Sequence, residues 1–315
     1  MWFLGSVVNF VMSVPHHGRG TKRGISTLRP VDRIATEELR QYISKVEGHK
    51  FSMETVRGYI ERGADPNLEC QNIDLKLFNH GQTLLMVLSK LGEELTSGRL
   101  HHEILGTFEY LLGLPGIDVS VGDVQGNRLI HYVTYMHDPN FLEMLVRNVH
   151  VATNIDIVDI QGLSALHIAC RRDTVPIEMF ITLLRAGANP FLQTRSDKRT
   201  PLHLAMIGNW ANPNLPRVLY ILRKIIEFGV DLGDDKYKDS HGDTFLHYAV
   251  VYVKSKPFCM TILKNGGYKS LNVQDAEGLD PLSATLPCNC NNPGARAAIE
   301  EYNARMSAAA RISHY

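Results

Sequence analysis

One six-residue phrase constrains this chain more than anything else in it. Thr200-Pro201-Leu202-His203-Leu204-Ala205 has close copies at Ser164-Ala165-Leu166-His167-Ile168-Ala169 and Thr244-Phe245-Leu246-His247-Tyr248-Ala249, and weaker ones beginning at Thr83, Arg128 and Asp280. Their first positions, 83, 128, 164, 200, 244 and 280, lie 45, 36, 36, 44 and 36 residues apart. A chain that repeats at such an interval is made of small units that cannot bury an apolar face alone, so the units must stack.

The unit around Ser164 shows the grammar. Asp159 to Gly162 reads as a tight turn, Ser164 opens a short helix, Pro176 to Leu184 reads as a second apolar helix, and Ala186-Gly187-Ala188-Asn189-Pro190 stops it. The phrase at Thr200 matches the ankyrin pattern T-P-L-H-x-A in full, and the chain resembles the ankyrin-repeat family. The family's period is about 33 residues, so the two long spacings carry insertions. The resemblance implies an all-α ankyrin-repeat solenoid of about seven helix-turn-helix units with short β-turn or hairpin tips. Such units extend over residues 30–306, with a capping unit at 30–67 that closes on Gly63-Ala64-Asp65-Pro66-Asn67 and six further units. Residues 1–29 and 307–315 are left as tails. The irregular repeats also resemble ankyrin proteins that intracellular pathogens deliver into host cells.

Within this frame Ser52 is expected to cap the second helix, with Phe51 and Val56 stapled around it. Residues 89–102 read as an extended connection carrying the polar, glycine-bearing loop 91–98, before a helix at 104–112. Pro139 and Pro257 mark the first turns of second helices. The insertion from Gly208 to Pro216 bears Trp210, and a polar, alanine-rich helix at 295–306 suits a terminal cap.

Charge and cysteines narrow the function. Lys plus Arg equals Asp plus Glu at 33 each, so no global field favours nucleic acid. Five cysteines, odd in number and without a spaced framework, indicate reduced thiols in a cytoplasmic setting, the host cytosol if the protein is delivered there. The apolar run Trp2 to Val14 is too short for a membrane span. The alternative function is an adaptor recruited to a membrane surface through residues 1–24 alone, where Arg19, Lys22 and Arg23 follow the run.

Signatures of catalysis fail on inspection. His102-Glu103 lacks the second histidine of H-E-x-x-H, and Gly162-Leu-Ser164-Ala-Leu166 lacks the closing glycine of G-x-S-x-G. His131, His167, His203 and His247 recur at one repeat position, where the family's histidine ties neighbouring turns together. An enzyme or metal alternative remains at Cys170, or at Cys288-Asn-Cys290 with His241 or His247, although that thiol spacing is narrower than a structural zinc site uses. No cofactor is expected.

In the family, turn tips and first-helix ends line a concave face that grips partners. Carried over, these are Tyr135, Met136, Arg171, Arg172, Ile207, Gly208, Val251 and Tyr252 at helix ends, and Arg195, Arg199, His241 and Asp243 among the tips. Trp210 joins them as a loop anchor or a helix cap. Arg195, Lys198 and Arg199 crowd one connection and Asp231, Asp234, Asp235, Asp239 and Asp243 the next, so a partner with charge sorted the opposite way would be steered there. The expectation is a non-enzymatic, monomeric adaptor for a protein partner.

Overall fold

The computed structural model describes residues 30–45, 51–70, 81–94, 98–136, 138–148, 154–172, 174–208, 215–229, 231–253, 255–285 and 293–312. Its α-helices come in consecutive pairs. They are α1 (Arg33–Ser44) and α2 (Met53–Glu61), α3 (Leu84–Glu94) and α4 (Arg99–Leu112), and α5 (Leu129–Tyr135) and α6 (Pro139–Val146). The series continues with α7 (Ala165–Arg171) and α8 (Ile177–Arg185), and α9 (Pro201–Ile207) and α10 (Leu215–Glu227). In the last part α11 (Phe245–Tyr248) runs into a π-helical turn at Ala249–Val253, followed by α12 (Lys256–Lys264) and α13 (Pro293–Ile312). This is an all-α solenoid of stacked helix pairs. Its sheet structure among the described residues is one pair of two-residue strands, Glu69–Cys70 and Gln82–Thr83.

Pairing follows from burial. First helices α3, α5, α7, α9 and α11 pack one on the next, and second helices α2, α4, α6 and α8 form a parallel row behind them. Between the rows a continuous apolar cluster runs from Ala35 through Leu166, Phe180 and Leu202 to Ile299. Phe108 and Phe141 meet edge to face in it, with centroids 4.8 Å apart.

The turns between units are held by carboxylates. Asp123, Asp159, Asp239 and Asp275 each use Oδ1 to accept backbone N–H groups two and four residues ahead, at 2.8–3.0 Å. Glycines 126, 162, 242 and 278 supply the positive φ that closes each turn. Successive tips are hydrogen-bonded in a row: Ile160 N–H donates to the Gln125 carbonyl, Arg195 to Gln161, Ser240 to Asp197 and Ala276 to His241.

Four local expectations change. Residues 89–94 are helical rather than extended, because Gly92 lets α3 press onto the Phe141 ring; a Cβ there would lie 2.5 Å from Cζ. Ser52 starts α2 without a side-chain cap, and Glu103 of the next unit accepts the Met53 N–H at 3.0 Å instead. The phrase at Asp280 yields a 3₁₀ turn at Ser283–Thr285 rather than a full helix. The terminal helix is longer than 295–306, running from Pro293 to Ile312 through an alanine-rich stretch that favours helix. No helix among the described residues is long and apolar enough to cross a membrane.

Candidate partner-binding face

The repeated histidines fix the distance between neighbouring tips. In each, Nδ1 accepts the N–H of the residue that opens the helix: Arg128 for His131, Ser164 for His167, Thr200 for His203 and Thr244 for His247, at 3.0–3.2 Å. The proton is thereby left on Nε2. His131, His167 and His247 donate it to the carbonyls of Leu163, Arg199 and Leu279 in the following units, each at 3.1 Å. Burial holds all four rings neutral, pushing His167 down to about 4 and His203 to about 3. His131, His167 and His247 are structural ties, as the repeat position implied.

The fifth tip is built differently. Thr194 takes the aspartate's place: its N–H donates to the Arg199 carbonyl and its Oγ1 accepts the Arg199 N–H, both at 2.9 Å. The turn therefore spans one residue more than Asp159 to Leu163, and Lys198 sits at φ 52° where the other tips have glycine. Gln161, Arg171, Ser196, Asp197, Ile207 and Gly208 contribute to the walls of a cleft of about 220 Å³ beside this tip. Gly208 closes it tightly: a Cβ there would lie 2.1 Å from the Arg171 carbonyl oxygen, so α9 can end against α7 only without a side chain. Behind it the buried Arg217 guanidinium donates to the Ala169 carbonyl at 2.8 Å, anchoring the end of α7.

A second cleft, also of about 220 Å³, lies one unit further on and brings together His241, Asp243, Val251 and Tyr252 with Asp275 and Glu277. Val251 and Tyr252 reach it from the π-helical turn. Burial and the neighbouring Asp239 and Asp275 carboxylates push Asp243 up to about 6. Between the clefts Arg199 Nε donates to Tyr248 Oη at 2.8 Å, and Tyr248 donates to Asp239 Oδ2 at 2.7 Å.

Of the residues singled out in the sequence, Arg171, Arg199 and Ile207 meet in the first cleft and His241, Asp243, Val251 and Tyr252 in the second. The Arg172 guanidinium covers the Tyr135 ring at 4.9 Å. Arg195 is exposed on the fifth tip, packed over Gly162. Met136 is buried, 7% exposed, and so leaves the accessible set. Trp210, Cys288 and Cys290 lie outside the described residues. Sequence reasoning missed Arg217, Tyr248 and Thr194, whose partners come from other units or from the longer turn.

Reactive chemistry finds little support. Cys170 is fully buried and its thiol is pushed up to about 12, far from a nucleophilic thiolate. Asp243, His247 and Asp275 bring ligand atoms within 4.8 Å of one another, yet both His247 nitrogens are already engaged, with the Thr244 N–H and the Leu279 carbonyl.

Comparison with known proteins agrees with this geometry. The ankyrin-repeat family model matches residues 161–195, the unit with the regular turn, the histidine tie and the glycine stop. The chain carries an ankyrin repeat there, in a solenoid of stacked helix pairs. It is 33% identical over 91 residues to the Nuclear factor NF-kappa-B p105 subunit of Mus musculus, covering 29% of this chain and 9% of that protein. It is 28% identical over 134 residues to the p105 subunit of Gallus gallus, covering 42% of this chain and 12% of the relative. The matches thus span about a tenth of these curated relatives. In fold, this ankyrin array superposes on the ankyrin repeat domain of Bcl-3, a member of the IkappaB protein family, with a TM-score of 0.53. That alignment has 17% identity and covers 81% of this chain and 95% of that one. Ankyrin repeats of this kind serve protein–protein interaction.

Proposed function

We propose that this ankyrin array is a non-enzymatic adaptor that holds a partner protein on a concave face made by its tips and first-helix ends. The observation that carries the reading is the pair of neighbouring clefts, one edged by Arg171 and Arg199 and the other by Asp243, Asp275 and Glu277. Side chains on successive units converge there, and types favoured at interfaces, Tyr and Arg, are half-exposed or exposed: Tyr135, Arg171, Arg172 and Tyr252. The p105 and Bcl-3 likenesses support a role in protein binding at the level of the fold. In this reading residues 30–306 are the binding unit, and the protein works as a monomer in the cytoplasm.

The test is position-dependent photo-cross-linking. A photoreactive residue at Ile207 should capture a defined partner band from cell extract, whereas one at the exposed Arg223 of α10 should not. Arg171→Glu with Arg172→Glu and Tyr252→Ala should abolish the band while circular dichroism stays unchanged. Equal capture from both positions would move the binding surface elsewhere.

A further inference from the structure

The cleft between the fourth and fifth units carries an unbalanced charge. Arg171 lines it, its chain neighbour Arg172 and Arg195 at the start of the adjoining tip are exposed, and among the described residues none of the three stands within ion-pair distance of a carboxylate. Arg199, by contrast, is already matched to Asp197 at 3.1 Å and to Tyr248 at 2.8 Å. The nearby Asp159 is spent as well, buried with its Oδ1 accepting two backbone N–H groups. Lys198 adds a further exposed cation on the same tip.

The backbone beneath this charge is held. The end of α7 is pinned by Gly208 against the Arg171 carbonyl and by buried Arg217 on the Ala169 carbonyl. The Arg172 guanidinium sits over the Tyr135 ring, 4.9 Å from its centroid. Arg195 is seated where Gly162 has no side chain, with only 2.5 Å between a would-be Cβ and the Arg195 nitrogen. The extra residue in the fifth tip and the left-handed Lys198 are local costs that simple stacking does not require. Leu163, Leu204 and Ile207 give the cleft an apolar side.

We infer that this cleft docks an acidic, extended segment of the partner protein, with one aliphatic side chain against Ile207 and flanking carboxylates on Arg171, Arg172 and Arg195. The inference rests on the concave-face reading and names the partner's chemistry. Guanidinium forks engage carboxylates in paired hydrogen bonds. The acidic cleft one unit further on repels the same segment, which sets where the acidic stretch must end.

The test uses the whole 315-residue chain and a displayed library of random peptides of about twelve residues, long enough for an extended segment to cross more than one unit. Enriched peptides should be rich in Asp and Glu around a Leu, Ile or Val. Their capture should fall about tenfold or more with Arg171→Glu and Arg172→Glu. It should also weaken as salt is raised from about 50 to about 300 mM, while Arg223→Glu leaves it unchanged. Arg171→Gln with Arg172→Gln repeats the measurement with smaller disturbance to folding. Enriched peptides that are neutral or basic, acidic peptides retained equally by both double variants, or no enrichment at all would each overturn the inference. If non-acidic peptides win yet still compete with cross-linking at Ile207, the concave-face reading survives and only the charge assignment falls. Silence in both experiments removes both.

Discussion

His203 stacks on Phe245, ring centroids 4.4 Å apart and 27° from parallel, and its Nε2 makes no hydrogen bond among the described residues. The three equivalent histidines each donate to a carbonyl of the following unit. The boundary after His203 is the one crossed by the 44-residue spacing. There Arg199, Tyr248 and Asp239 supply the polar link, and the imidazole becomes a packing group.

His167→Leu should therefore cost more than His203→Leu. His167→Leu loses a cross-unit hydrogen bond of about 1 kcal/mol, leaving the Arg199 carbonyl with the Thr194 N–H alone. Urea denaturation of the two variants checks the order; an equal or reversed pair of midpoints would contradict it.

The same rings set an acid limit. His167 at about 4 and His203 at about 3 lie below the unfolded value, so the unfolded chain binds more protons between those values and about 6.5. Their stabilising share is complete above about pH 6.5 and is lost progressively as pH falls, on the order of 2 kcal/mol per ring by pH 5. Melting temperatures should drop between neutrality and pH 5, and His203→Gln should flatten part of that slope.

Asp243 works with the opposite sign. Raised to about 6, it holds its proton more firmly in the folded state, so ionisation above that pH opposes folding. Asp243→Asn should stabilise the protein near pH 7.5 by about 1 kcal/mol after allowance for solvent screening. The gain should vanish as pH approaches about 4.

Two glycines should respond in opposite directions. Gly208→Ala forces a methyl into the Arg171 carbonyl and should cost about 1–3 kcal/mol. Gly58, inside α2 with nothing within 4 Å of a would-be Cβ, should gain about 0.5–1 kcal/mol as alanine. Paired thermal melts read both.

Lys198→Gly should relieve a left-handed backbone and add about 1 kcal/mol of stability. If the melting temperature does not rise, contacts of the longer tip already compensate the strained φ.

Much of the fold was legible because its signals are local. In the regular units the helix-opening residue and the His bond within one helical turn, as in Ser164 with His167, and the aspartate and glycine of the tip bond within four residues. Pro139 and Pro257 fell in the first turns of α6 and α12 for the same reason. Residues 91–94 misled because a glycine in a polar stretch reads as loop, whereas Gly92 is an accommodation to Phe141, about fifty residues away. The candidate site was half legible. Repeat register named Arg171, Ile207, Asp243 and Tyr252, but not the burial of Met136 nor the roles of Arg217 and Tyr248.

The sequence by itself determined the period, the helix pairs and the closure of the regular tips, since these follow from hydrogen bonds and apolar spacing closed within a single unit. Tertiary structure alone decided which tips deviate: that His203 stacks rather than donates, that the fifth tip takes an extra residue, and that α9 ends hard against Arg171. Those outcomes depend on how one unit sits against the next. That offset is set by packing between residues about forty apart, where no local pattern reaches.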